Sequence, residues 1–324
     1  MHSDTQFTEL RTQALSVIAE VKKVIIGKDD VISKLFLAML AQGHVLLEDI
    51  PGVGKTSLAV ALGAAMNLNY QRIQFTPEVM PADVVGYTLY DKASNTRVYQ
   101  PGVALCNLLL VDEINRASSK TQSALLEAME EQAVTVDGVT YGIESPYTVI
   151  ATQNPAGSAG TQLLPESQLD RFMIRLSIGY PAVEDEATIL KRHHLCAKPL
   201  QTVQQVTSAA AVREMQRQVE ATHIDDDLCH YIARLVHATR KDATLRLGAS
   251  PRASLSLLRM GKAVAWLSGR DYLIPDDIHA IFYEVVEHRV TGNSQTRTDT
   301  TEIRRALNTI LSTTPQPRFA PKGV

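Results

Sequence analysis

The stretch "LLEDIPGVGKTSLAVAL", residues 46–62, carries the residue types and spacing best suited to chemistry. Gly52 and Gly54 let a backbone turn its N–H groups inward on a phosphate chain, Lys55 can bridge β and γ oxygens, and Thr56 can offer its hydroxyl to Mg²⁺. An apolar run before the loop reads as a strand, and the run after it, with Leu58, Val60, Ala61 and Leu62, reads as a helix whose positive end faces the same place. Pro51, Gly52, Val53, Gly54, Lys55, Thr56 and Ser57 are therefore the candidate nucleotide-binding set. One position departs from the G-x-x-x-x-G-K-[ST] pattern, because Asp49 stands where the first Gly belongs. An Asp fits there if the site does not demand a glycine-only conformation and if the carboxylate points away from the triphosphate.

Five further residues are suited to act on a bound triphosphate. "NLLLVDEI" ends an apolar strand in Asp112 and Glu113, 57 residues after Lys55 in the case of Asp112. One acid there can hold Mg²⁺ through water and its neighbour can polarise the attacking water. "TVIATQNP" ends another strand in Asn154, whose neutral amide can orient that water without adding charge. "LPESQLDRFMIRL" puts Arg171 just before a last strand, and "GASPRASL" puts Arg252 in the first turn of a helix. Taken singly these features have plain readings: a strand ending in solvated acids, an Asn-Pro turn, arginines on a wet face. Their order along the chain is what raises them.

The elements that must position these residues are visible as two patterns. Five short apolar or β-branched runs, "HVLLE", "RIQF", "NLLLVDE", "TVIATQ" and "IRLSIG", alternate with helical segments or turns, which suits a parallel α/β sheet covered on both faces. Two helices precede them, the first with Phe7, Leu10, Ala14, Ile18 and Val21 at helical spacing, the second over 31–41. Residues 87–102 and 133–147 alternate around turn residues and read as inserts, the second with an Asp137-Gly138 hairpin signal. From 181 onward the pattern is helical, over 184–195, 208–221, 226–240, 251–268, 275–289 and 301–312. The division expected is an α/β core over 1–180, an all-helical domain over 181–313 and a loose Pro-rich tail over 314–324.

Composition limits the rest. The chain has 324 residues, 45% of them apolar, and its 32 basic and 35 acidic side chains leave a charge of −3, which gives no overall attraction for a polyanion. No window has the apolar length of a membrane span, and the start "MHSDTQFTEL" lacks an apolar signal region, so the expected location is the cytoplasm. Cys106, Cys196 and Cys229 have no metal-type spacing and read as small buried hydrophobes.

The succession of phosphate loop, Asp-Glu strand, sensor Asn, arginine finger and helical lid with a sensor arginine resembles the AAA+ ATPases. More narrowly, "LLEDIPGVGKT", "LLLVDEINRASSKTQSALLEAMEE", "VIATQNP", "LPESQLDRF" and "GASPRA" resemble the MoxR family, over about Ile25 to Arg289. That resemblance makes Asp49 a family trait. It implies a five-stranded sheet in the order 5-1-4-3-2, with residues 87–102 as an insert interrupting the second helix, and Val24, Ile25, Ile26 and Gly27 against adenine. It further implies a ring of six copies, ATP and Mg²⁺ as cofactors, Arg171 acting on a neighbour's ATP, and inserts that face a pore or a client. Such ATPases are associated with von Willebrand factor A domain proteins and with maturation of, or metal insertion into, other proteins. Other readings are the ATPase subunit of a metal chelatase, a nucleic-acid motor, which the charge balance disfavours, and a small-molecule kinase, which needs no lid arginine paired with a finger. Whether Arg252 serves its own site or the adjacent one stays open.

Overall fold

The computed structural model describes residues 2–50, 52–93, 95–153, 164–195, 198–293 and 300–317. Two of the expected site residues, Pro51 and Asn154, lie outside the described residues, as does Cys196. The chain opens with α1 (His2–Lys22), α2 (Asp29–Leu40), β1 (Val45–Glu48), α3 (Lys55–Ala65), β2 (Tyr70–Gln74) and the short α4 (Pro81–Val85). A hairpin of β3 (Gly86–Asp91) and β4 (Thr96–Pro101) follows, then β5 (Leu108–Asp112), α5 (Ser119–Glu131), and a second hairpin of β6 (Ala133–Val136) and β7 (Val139–Gly142). The α/β part closes with β8 (Thr148–Gln153), α6 (Glu166–Leu169) and β9 (Ile174–Leu176).

Five of these strands form one parallel sheet in the order β2-β5-β8-β1-β9, which is the expected order read from the other edge. The inner strands show no polar alternation because each buries both faces. Val45 and Leu47 of β1 join the core on one side and Leu46 the core on the other; Leu108 and Leu110 of β5 oppose Leu109 and Val111 in the same way. The first insert leaves only the five residues of α4 before the β3–β4 hairpin, and after Pro101 the chain returns to β5 through turns rather than helix. Tyr99 of that hairpin stacks on Tyr141 of the other, with ring centroids 3.8 Å apart, so the two inserts are fastened together.

The second half is α7 (Val183–Leu195), α8 (Ala209–Ala221), α9 (Asp226–Lys241), β10 (Leu245–Leu247), α10 (Pro251–Leu267), α11 (Pro275–His279), α12 (Phe282–Val286), β11 (Thr291–Gly292) and α13 (Thr300–Thr313). Three details differ from the sequence reading. The segment read as one helix over 275–289 breaks at Ile281, whose φ of −128° leaves helical geometry and lets Phe282, Val285 and Val286 turn into the core. A small antiparallel pairing of β10 with β11 sits among the helices. Cys106 is buried, but Cys229 is exposed on α9, contrary to its reading as a core residue, because Leu228, Tyr231 and Ile232 take the inward face.

One apolar cluster joins the sheet, α1, α2 and α3 to α8, α9, α10, α12 and α13. Buried Trp266 of α10 packs edge-on against Phe7 of α1 and donates its indole N–H to Gln218 at 3.0 Å. Gln216 of α8 donates to the Met39 carbonyl at 2.8 Å, and Arg289 donates to the Met173 carbonyl at 2.9 Å. These contacts fix the helical half against the N-terminal helices and the turn before β9, the edge of the sheet at which the strands begin.

Candidate nucleotide site and arginine cluster

The phosphate loop leaves β1 at the C-terminal edge of the sheet. Gly52 (φ +87°) and Gly54 (φ +94°) are both in the left-handed region, and a Cβ at either would meet nothing within 4 Å, so the loop surrounds open space. Lys55 opens α3, followed by half-buried Thr56 and Ser57, so the free N–H groups of the first turn face that space. The Lys55 ammonium donates to the Asp49 carbonyl at 2.6 Å. Burial pushes its pKa down, against the pull of the Asp49, Asp112 and Glu113 carboxylates. An enclosed cation among glycine N–H groups suits a triphosphate.

Asp49 meets both conditions set for it. It is not among the described residues with positive φ. Its buried carboxylate faces away from the loop, accepting Ser177 Oγ–H and Gly179 N–H at 3.0 Å each and the Ile178 N–H.

Asp112 ends β5 and Glu113 follows it, both beside the loop. Thr152 of β8 ties them together, donating to Asp112 at 3.3 Å and accepting the Glu113 N–H at 3.0 Å. Glu113 has a left-handed backbone (φ +57°), uncommon outside glycine, which swings its carboxylate out of the strand line. Two partners here were not foreseen: Arg72 of β2 holds Asp112 at 2.8 Å, and Arg116 holds Glu113 at 2.7 Å. The first needs the β2–β5 pairing, so no local signal gives it; the second is an i, i+3 spacing that the sequence did offer. Ile25, Ile26 and Gly27 lie in the turn between α1 and α2, with Ile25 packed on the main core. Asp185 of α7 abuts Gly27, and Lys28 donates to the Tyr180 carbonyl at 2.8 Å. Segment 177–180 thus touches both the phosphate loop and the candidate adenine turn.

Arg171 and Arg252 lie elsewhere. Arg171 stands three residues before β9, which runs parallel to β1, and the Met173 N–H bonds to the carbonyl of His44 just ahead of β1. Arg171 is therefore at the N-terminal edge of the sheet, opposite its own phosphate loop. It ion-pairs with Glu130 at 2.6 Å, and Arg252 pairs with the other oxygen of the same carboxylate. Ser250 caps α10 by accepting the Arg252 N–H at 3.1 Å and donates to Asp170, which also holds the buried Arg289 at 3.0 Å. Burial lowers the Arg289 pKa to about 10 despite that partner. These arginines and Arg259 line a cleft of about 270 Å³ together with Glu130 and Asp170.

This chain has recognisable relatives. Residues 44–174 match the ATPase family associated with various cellular activities (AAA), and residues 237–308 match the AAA lid domain. Chaperone MoxR1 of Mycobacterium tuberculosis is 36% identical over 93% of this chain and 81% of its own. The chain belongs to the MoxR family of AAA+ ATPases. Another relative, the uncharacterised protein YeaC of Bacillus subtilis, is 41% identical over 91% of this chain and 92% of its own. The crystal structure of a candidate ATPase from Cytophaga hutchinsonii superposes with a TM-score of 0.90 at 34% identity, covering 98% of both chains. As a MoxR-type AAA+ protein the chain binds ATP and is an ATPase. Among the described residues no helix is long and apolar enough to cross a membrane.

Proposed function

We propose that this ATPase acts as a ring of copies, six by family resemblance, that hydrolyses ATP at subunit interfaces and remodels protein clients in the cytoplasm. The observation that carries the interface reading is the separation of Arg171 and Arg252 from their own phosphate loop. β1 has four residues, about 13 Å at 3.3 Å per residue, and the two arginines sit beyond its start while Lys55 sits beyond its end. Side chains arranged this way fit a role on the neighbour's ATP, Arg252 included.

Within each site Lys55 binds the β and γ oxygens, Glu113 polarises the attacking water and Asn154 orients it, and Ile25, Ile26 and Gly27 pack on the base. Thr56 and Asp112 have the hard oxygen donors that Mg²⁺ prefers, Asp112 through water, and the bound ion would neutralise charge on the phosphates. The joined hairpins carry exposed Tyr87, Leu89, Tyr90 and Val139 away from the nucleotide, which supports their use on a client. A relative that is a chaperone supports the same reading. Maturation or metal insertion as the purpose, and a von Willebrand factor A domain partner, follow from the family resemblance.

The test is Glu113→Gln. It should keep ATP bound, slow hydrolysis about 10²- to 10⁴-fold, the usual contribution of a positioned general base, and accumulate as the closed ring by light scattering in ATP. A variant that hydrolyses normally would remove Glu113 from the proposal, and one that stays monomeric in ATP would remove the ring.

A further inference from the structure

Asp49 does more than tolerate a position where the general loop pattern has glycine. A carboxylate with only 5% of the residue exposed must have its charge compensated by donors, and here all three come from one short segment. That segment, 177–180, leads from β9 into α7. Gly179 has φ +65°, a conformation that lets its N–H turn back toward the carboxylate, and the Tyr180 carbonyl is held by Lys28 next to the candidate adenine turn. Asp49 also offers its own carbonyl oxygen to Lys55. So one short side chain and its own peptide group join the lysine that meets phosphate to the chain that begins the helical half.

α7 has no buried residue, and Val183, Leu190 and Leu195 are among its exposed apolar side chains. Little packing holds it, so its position depends on what holds 177–180 and on the contact of Asp185 with Gly27. A phosphate that takes over the Lys55 ammonium releases the Asp49 carbonyl. The peptide unit of Asp49 then readjusts, and its carboxylate carries that readjustment to Ile178 and Gly179.

We propose that Asp49 is a positioning residue that couples phosphate binding at Lys55 to the placement of segment 177–180 and α7. This rests on the ATP site described above. Asp49→Asn is the suitable perturbation, because it keeps shape and volume but turns an N–H₂ group toward the N–H of Ile178 or of Gly179.

The experiment is hydrogen exchange of the Ile178 and Gly179 amides and of the first turn of α7, with and without saturating ADP, alongside an ADP titration. In the wild type ADP should change exchange across 178–186. In Asp49→Asn whichever of the Ile178 and Gly179 amides faces the new N–H₂ group should exchange about 10- to 100-fold faster, the effect of losing one hydrogen bond to a charged acceptor. ADP should still bind, within about tenfold of wild type, yet no longer alter 178–186. A full ADP response at 178–186 in Asp49→Asn, or none in the wild type despite binding, would overturn the coupling. Failure of the wild type to bind ADP in the titration would instead strike the ATP-site reading and take this inference with it. Should Asp49→Asn not fold, Ser177→Ala removes a single donor: a weakened ADP response with unchanged ADP affinity supports the coupling, and an unchanged response overturns it.

Discussion

Mixing two inactive variants tests the placement of the arginines directly. Arg171 and Arg252 each ion-pair with Glu130 while one third to nearly one half exposed, at 32% and 44%. Pairs this wet contribute about 0–1 kcal/mol, so Arg171→Ala or Arg252→Ala should leave folding nearly intact. A finger that stabilises charge in the transition state contributes far more, about 10³-fold or more in rate, equivalent to about 4 kcal/mol. The gap between about 1 and about 4 kcal/mol separates the two roles. Glu130→Gln provides the control, since a purely structural pairing would make it as damaging to hydrolysis as either arginine variant. Lys55→Ala is inactive for a different reason: it loses most ATP affinity, because the lysine meets the triphosphate in ground and transition states alike. Each Arg→Ala protein is then mixed with Lys55→Ala, with subunit exchange verified by labelled protomers. An interface built from an Arg→Ala site and a Lys55→Ala neighbour has every part. At an equal mixture about a quarter of interfaces are of that kind, so activity should rise to a maximum near the middle ratio and vanish at both ends. Recovery with both arginine variants assigns both to the neighbour's site. No recovery despite proven exchange would refute the reasoning, because an arginine serving its own subunit cannot be supplied by another.

Shortening the β3–β4 hairpin should spare basal ATPase and impair client work, since Tyr87, Leu89 and Val98 project from an insert outside the nucleotide core; equal loss of both activities in paired assays would make the insert part of the core. Acid stability gives a separate check on the sheet. His44 accepts the Val149 N–H at Nδ1 and donates from Nε2 to the Met129 carbonyl, and burial lowers its pKa from 6.5 to about 4. The folded chain therefore keeps His44 neutral where the unfolded chain takes up a proton, so stability falls as pH drops from about 6.5 to 4, by about 3 kcal/mol from this residue. Buried His288 acts in the same direction. Denaturant melts across that range should flatten in His44→Gln, and an unchanged slope would discard the assignment.

The sequence determined which groups gather at the C-terminal edge of the sheet because their arrangement is local. The G-x-G-K-T spacing needs only its own strand, turn and helix, and Gly52 and Gly54 adopt the left-handed conformations that the pattern requires. Asp112 and Glu113 were legible because strand ends are marked by the change from apolar to charged residues. The five strands of the sheet, the first insert and the second hairpin followed from short apolar runs and turn residues; the 5-1-4-3-2 order came from family resemblance, since no periodicity encodes which strand lies beside which. Contacts between distant residues were not legible. Arg72 reaches Asp112 only because β2 lies beside β5, and Glu130 collects Arg171 and Arg252 only because α5 ends where β9 begins and α10 packs nearby. Asp49 looked like a missing glycine for the same reason, its partners being 128–130 residues away. Local pattern marked which groups can do chemistry, while the parallel pairing of β9 with β1 put Arg171, and the packing of the helical half put Arg252, at the edge of the sheet opposite the phosphate loop.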